Sequence, residues 1–282
     1  MSAVYLVLRM MRRLTPGFAS RAMLDLGLVL QPGLETRSPE QAVRRYRAEL
    51  ERRRFALSGK SVLVFGYGGS YGVGIGFLQA GARLVTLCDL YARPSPRRNR
   101  TWAKTFPQYF EPAGERRPKQ ELIRLLHTDI RCYAQDKASE FDLVVSSSVF
   151  EHLDDCDGIT SSLAALTKSD GAHLHFIDLR DHFFRYPFEM LTFPQAAWRR
   201  YLNPPSNLNR LRAWQFEAVF NRHFGNVAMQ VIDALPAEFN RIRARIRPEF
   251  LSGQEALDAA GIISIWATQP LGGPSSRQVL RS

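Results

Sequence analysis

The sequence predicts an α/β chain in which an open, doubly wound, mostly parallel sheet follows a helical N-terminal extension. Three observations predict it. From Ser61 onward, apolar runs of strand length alternate with helical stretches. The first run, SVLVF, breaks directly into GYGGSYGVGIG, a glycine turn of the kind that lets backbone approach a ligand at a strand end. Asp89 ends the second run, 23 positions after Gly66, where a carboxylate can accept from both hydroxyls of a ribose.

The elements follow in order. Residues 1–58 read as a helical extension broken at Pro16 and around QPGLETRSPE. Its last helix has Ser38 as N-cap and Pro39 and Glu40 in the first turn. Parallel strands are expected at Ser61–Phe65, Arg83–Cys88, Leu122–His127, Phe141–Ser146 and Ala172–Asp178. An aromatic, proline-bearing segment then interrupts the alternation, and residues 183–224 are the place for a substrate lid. Asn226–Leu235 and Gly261–Gln269 read as a closing antiparallel pair. The main domain is thus expected over 59–269, followed by a disordered tail, 270–282.

A length of 282 residues with 45% hydrophobic content suits one large domain with additions. No apolar run reaches the roughly 20 residues of a membrane span. The three cysteines form no CxxC pair, which points to a reduced, cytoplasmic setting. The net charge of +11 is concentrated in two segments. Residues 1–60 carry 12 Lys/Arg against 5 Asp/Glu, and residues 93–119 carry 8 against 2. Such segments attract phosphate or an anionic membrane surface. Arginines interrupt the apolar start, so it does not read as a signal peptide. Val4, Leu8 and Met11 can share a helix face, the pattern of a peripheral membrane contact.

The glycine turn and Asp89 leave the nucleotide open, since NAD, FAD and S-adenosylmethionine all use such a pair. The stretch from Gly59 to Leu90 is similar to the opening of short-chain dehydrogenases, and Tyr133 to Lys137 even spells Tyr-x-x-x-Lys. That pair, however, precedes the fourth strand instead of following it, and no Asn-Ala-Gly turn follows that strand.

What does follow the fourth strand is FDLVVSSSVFEHLDD, Phe141 to Asp155. Here the chain resembles the class I S-adenosylmethionine-dependent methyltransferases, in particular the type 11 small-molecule group. LHTDIR before it and LTKSDGAHLHFIDLRDHFF after it extend the resemblance over about Ser61 to Phe184. The resemblance implies a Rossmann-like, seven-stranded sheet with its last strand antiparallel. It also implies that Gly66, Gly68 and Gly69 line the methionine and ribose side of the cofactor. Asp89 would hold the ribose, Asp129 and Ile130 the adenine, and Ser146 and Ser147 would face the cofactor. One departure stands out. The family's first motif opens with an acid that supports the methionine end, and here that place is Val64, while Ser70 replaces the last glycine. Backbone near Gly66–Ser70, or Ser146, is expected to compensate.

Methyl transfer from a sulfonium needs alignment, and needs a general base only when the nucleophile arrives protonated. His152, Asp181 and His182 are the candidate catalytic residues, since all fall after the fourth or fifth strand, where ligands of an open sheet bind. Asp178 lies in the same region. His173 and His175 share a strand face but lack a third ligand of obvious spacing, so no metal site is expected. The acceptor is expected to be a small molecule or a glycan- or lipid-linked precursor. Nucleic acid is disfavoured by the absence of an amino-methylating [DN]-P-P-[YF] motif after the fourth strand. The residues leave open a nicotinamide-dependent oxidoreductase and a non-catalytic binding protein.

Overall fold

A computed structural model of the chain describes residues 3–14, 34–112, 117–181 and 186–271. Seven strands form one sheet: β1 (Ser61–Phe65), β2 (Leu84–Cys88), β3 (Ile123–Leu126), β4 (Phe141–Ser147), β5 (Thr167–Asp178), β6 (Phe224–Ala234) and β7 (Ala260–Pro270). Their order is β3-β2-β1-β4-β5-β7-β6. The first five are mutually parallel, while β7 runs antiparallel to both β5 and β6. Every residue of β1 and β2 is buried, as expected of central parallel strands covered on both faces. The strand order reverses between β1 and β4, which opens a crevice at their carboxyl ends.

Two helical layers cover the sheet. After α1 (Ala3–Leu14), one side is covered by the single turn α2 (Leu34–Arg37), α3 (Pro39–Arg52), α4 (Gly72–Gln79) and α5 (Pro96–Thr105). Of these, α3 lays a stripe of Ala42, Val43, Tyr46 and Leu50 onto the core formed with Val64, Val145 and Phe176. Ser38 occupies the N-cap of α3, but its side chain makes no capping bond; Pro39 at the first position sets the turn. After the single turn α6 (Ile130–Tyr133), α7 (Cys156–Leu166) and α8 (Ala213–Asn221) cover the opposite face.

A third core joins Phe188, Trp198 and Leu208 to Phe239, Ile242 and Phe250. The cap is therefore built from two stretches, one on each side of β6. Helix α8, within the expected 183–224 lid, belongs instead to the sheet layer through Phe216 and Phe220. Two buried arginines fasten the first stretch. Arg210 donates to the carbonyls of Met190 and Phe193, each at 2.8 Å, and Arg212 to those of Leu179 and Ala260, each at 2.8 Å. Helix α1 docks on this cap through Tyr5 and Arg9, which turn inward, while Met11 points outward. Of the tail expected over 270–282, Pro270 is the last residue of β7, and residues 272–282 lie outside those described. No described helix is long and apolar enough to cross a membrane.

Candidate functional site

The turn after β1 places Gly66 and Gly69 at φ of 82° each, in the left-handed region that suits glycine. A side chain at Gly66 would run into Val149, and one at Gly69 into the backbone carbonyl of Arg93. The turn is braced by the loop after β2. Buried Asn99, on α5, accepts the Tyr71 N–H at 2.9 Å and donates to the Gly69 carbonyl at 3.0 Å. The Ser95 N–H reaches the same carbonyl at 2.9 Å. Part of the basic 93–119 segment thus builds the turn.

Asp89 leaves the end of β2 half-buried. Its Oδ2 accepts the Gly68 N–H at 3.1 Å, and its Oδ1 accepts those of Tyr91 at 2.9 Å and Ala92 at 2.8 Å. The carboxylate is held at the sheet edge with its orientation set by backbone. Asp129 caps α6 by accepting the Arg131 N–H at 2.9 Å and pairs with the Arg131 guanidinium at 2.6 Å. These bonds hold the Asp129 carboxyl below its usual range. Ile130 turns its side chain into the core. Tyr67, on the turn itself, is buried, and its hydroxyl meets no partner among the described residues. Burial, then the neighbouring Tyr71 and Asp89, push that phenol up.

Ser146 and Ser147 point to opposite faces of β4, as successive strand residues must. Ser146 Oγ lies 2.7 Å from His175 Nδ1, against Phe150 and Phe220. The chain of bonds continues from His175 Nε2 to His173 Nδ1 at 3.0 Å, and from His173 Nε2 to Thr167 Oγ1 at 2.7 Å. Because the Thr167 hydroxyl donates to the Leu163 carbonyl at 2.7 Å, the polarity of the chain follows. Each histidine is neutral with its proton on Nε2, and Ser146 donates. Burial holds both imidazoles well below the usual range, His175 at about 3.

Ser147 faces α3, where Arg45 Nη2 donates to its Oγ at 2.7 Å. The Arg45 guanidinium lies 3.8 Å over the Phe176 ring. Beside it, the Tyr46 hydroxyl donates to buried Glu35. Val64 packs in the same core as Tyr46.

Past β4, the EHL stretch is a single 3-10 turn, Phe150–His152, and α7 begins later, with Asp155 as its N-cap. His152 Nδ1 lies 2.7 Å from the Asn207 carbonyl, and Asn207 Nδ2 donates to the His152 carbonyl at 3.0 Å. The cap therefore fixes the tautomer: Nδ1 carries the proton, and Nε2 is the basic nitrogen of the neutral ring. Both carboxylate oxygens of Glu151 are buried without a well-aligned donor. Burial and then the charge of Asp178 push its carboxyl well above the usual range, with Arg180 and backbone N–H groups offsetting only part. Asp178 pairs with Arg180 at 2.8 Å. Asp181 is wholly buried; it accepts from the Tyr5 hydroxyl at 2.5 Å and pairs with Arg9. His182 lies outside the described residues. Among those described, no group of three His, Cys, Asp or Glu side chains could hold a metal ion. Tyr133 is bonded to Glu140 at 2.6 Å, ahead of β4 and away from the crevice.

No protein-family model matches the sequence, and no curated protein is detectably similar to it. Solved structures are similar in fold. The Burkholderia thailandensis 1,6-didemethyltoxoflavin-N1-methyltransferase, solved with 1,6-didemethyltoxoflavin and S-adenosylhomocysteine, is 17% identical. The alignment covers 95% of this chain and 91% of that one, with a TM-score of 0.51. The chain has the class I methyltransferase fold. A Haemonchus contortus phosphoethanolamine N-methyltransferase 2, solved with S-adenosyl-L-methionine, is 18% identical over 80% of this chain and 52% of that one, with a TM-score of 0.48. Within the methyltransferase fold, sequence patterns locate Asp89 and the glycine turn. Asn99 and Arg45 carry no sequence signal of their own, because their partners Gly69, Tyr71 and Ser147 are distant in the chain.

Proposed function

We propose that the protein transfers a methyl group from S-adenosylmethionine to a small-molecule acceptor. The observation that carries this reading is the order of groups along the carboxyl edge. Asp129 follows β3, Asp89 ends β2, the glycine turn follows β1, and Ser147 with Arg45 stands at β4. That order suits an adenine, a ribose, a sulfonium and an amino acid laid along one edge. The half-buried Asp89 carboxylate, the orphaned Tyr67 hydroxyl and the positive φ of the turn all fit such a ligand. When bound, S-adenosylmethionine supplies an electrophilic methyl. The chain's own contribution is to orient the acceptor under the cap and exclude water. His152 Nε2 is the group to take a proton from a hydroxyl or ammonium acceptor. Asp181 anchors α1 and acts on substrate only if Tyr5 and Arg9 withdraw. The two basic segments favour an acceptor with an anionic group, and a glycan- or lipid-linked one extends the same reading.

Calorimetric titration of the purified protein with S-adenosylhomocysteine and with NADH tests this. Saturable binding of S-adenosylhomocysteine is expected. Binding of NADH alone overturns the reading in favour of an oxidoreductase, and binding of neither overturns it in favour of a non-catalytic protein.

A further inference from the structure

In this chain the strand that leads into the glycine turn carries no acid. Val64 is wholly buried among apolar side chains, so β1 offers no charged side chain to an amino-acid group. The N-terminal extension crosses the same face of the sheet just there. Turn α2 packs against α4, which begins at the glycine turn. Through Tyr46, α3 shares the core with Val64, and the Tyr46 hydroxyl is bonded to Glu35. One position before Tyr46, Arg45 reaches Ser147 at the end of β4. The extension thus delivers one carboxyl and one guanidinium to the β1–β4 crevice.

Neither group is used up there. Arg45 Nε is buried and meets no acceptor among the described residues. Glu35 is 3% exposed, and its described hydrogen bond comes from a neutral phenol. Burial pushes its carboxyl up to about 8, against the pull of the Tyr46 bond and the Arg45 charge, with Asp89 adding to the rise. A carboxyl with no charged hydrogen-bond partner and a guanidinium with a spare donor, near enough at a crevice to feel each other's charge, are complementary to a zwitterion. Adenosine recognition occupies β3 and β2, so the far end of the ligand falls at β1 and β4, where this pair stands.

We infer that Glu35 and Arg45 of the N-terminal extension form the binding subsite for the α-amino and α-carboxylate groups of the cofactor, with Arg45 taking the carboxylate and Glu35 the ammonium. This rests on the proposed use of S-adenosylmethionine, and it makes the extension part of the site. The acid absent from β1 is replaced from a different part of the chain.

The test compares two ligands that differ only by the amino-acid end, S-adenosylhomocysteine and 5′-methylthioadenosine, on the full chain and on Arg45→Met and Glu35→Gln. Methionine keeps the packing on Phe176, and glutamine keeps an acceptor for Tyr46. The expected result is a loss of about 10- to 100-fold in S-adenosylhomocysteine affinity in each variant, with methylthioadenosine affinity within about twofold, which also reports an intact fold. Unchanged S-adenosylhomocysteine affinity overturns the subsite, and so does an equal loss for both ligands. If the unaltered chain binds neither ligand, the cofactor reading itself fails, and the subsite fails with it.

Discussion

The carboxylate of Asp89 accepts the backbone N–H of Gly68 at 3.1 Å, so the acid of β2 is tied to the turn of β1. One group both shapes the turn and presents an acceptor at the sheet edge. Asp89→Ala should weaken S-adenosylhomocysteine by about 10- to 100-fold, the scale of hydrogen bonds to a charged group. Asp89→Asn, which retains one acceptor, should fall between. Calorimetry on both variants checks this, and unaltered affinity in Asp89→Ala removes the ribose assignment.

The brace on the turn predicts a stability effect far from any ligand contact. Asn99→Leu keeps the volume but leaves the Tyr71 N–H without its partner, and should cost about 1–3 kcal/mol. Gly69→Ala combines a positive φ with a collision against the Arg93 carbonyl, and should cost at least as much. Urea denaturation with an unchanged m-value would report both.

The Ser146–His175–His173–Thr167 chain predicts an acid limb in stability. Burial depresses both imidazoles in the folded state. Their contribution is therefore present above the unfolded histidine range near pH 6.5. It declines as pH falls through that value toward the folded ones, by at most about 1.4 kcal/mol per pH unit for each ring. The double substitution His173→Leu with His175→Leu should flatten the melting temperature between about pH 6.5 and 4. An unchanged slope would show that the histidines are not its source.

Glu151 has the opposite sign. Its carboxyl is raised in the folded state by burial and by Asp178, so the unfolded chain releases its proton first. Stability at this position is complete below about pH 4.3 and falls as pH rises above it. Glu151→Gln should therefore raise the melting temperature at pH 7–8 and leave it nearly unaltered at pH 4. If Glu151 also exchanges a proton with the acceptor, turnover falls in the same variant while S-adenosylhomocysteine affinity does not.

The Arg9–Asp181 pair tests how α1 is held. Removing one partner of a buried pair strands the other, at a cost of about 3–5 kcal/mol. Arg9→Met should either lower global stability by that amount or release α1 locally, read as faster proteolysis within residues 3–14. Neither change would mean that the pair contributes nothing to docking.

The strands were legible in the sequence. β1 matches its expected bounds, and the others match to within two residues except β5, which begins at Thr167 instead of Ala172, because apolar runs and glycine turns are local signals. The sequence also placed Asp89 and the glycine turn, since both depend on short spacings around strand ends. The cap draws about half of its core from residues beyond β6, such as Phe239, Ile242 and Phe250, outside the 183–224 segment in which the lid was expected. Tertiary structure alone decided which side chains meet. Tyr5 and Asp181 are 176 positions apart, and Arg45 and Ser147 are 102 apart. No period or motif encodes such pairs, since they exist only once helices have chosen their faces and the sheet its order. For the same reason Val64 looks like a lost acid in the sequence, whereas in the folded chain Glu35 stands on the same face of the sheet.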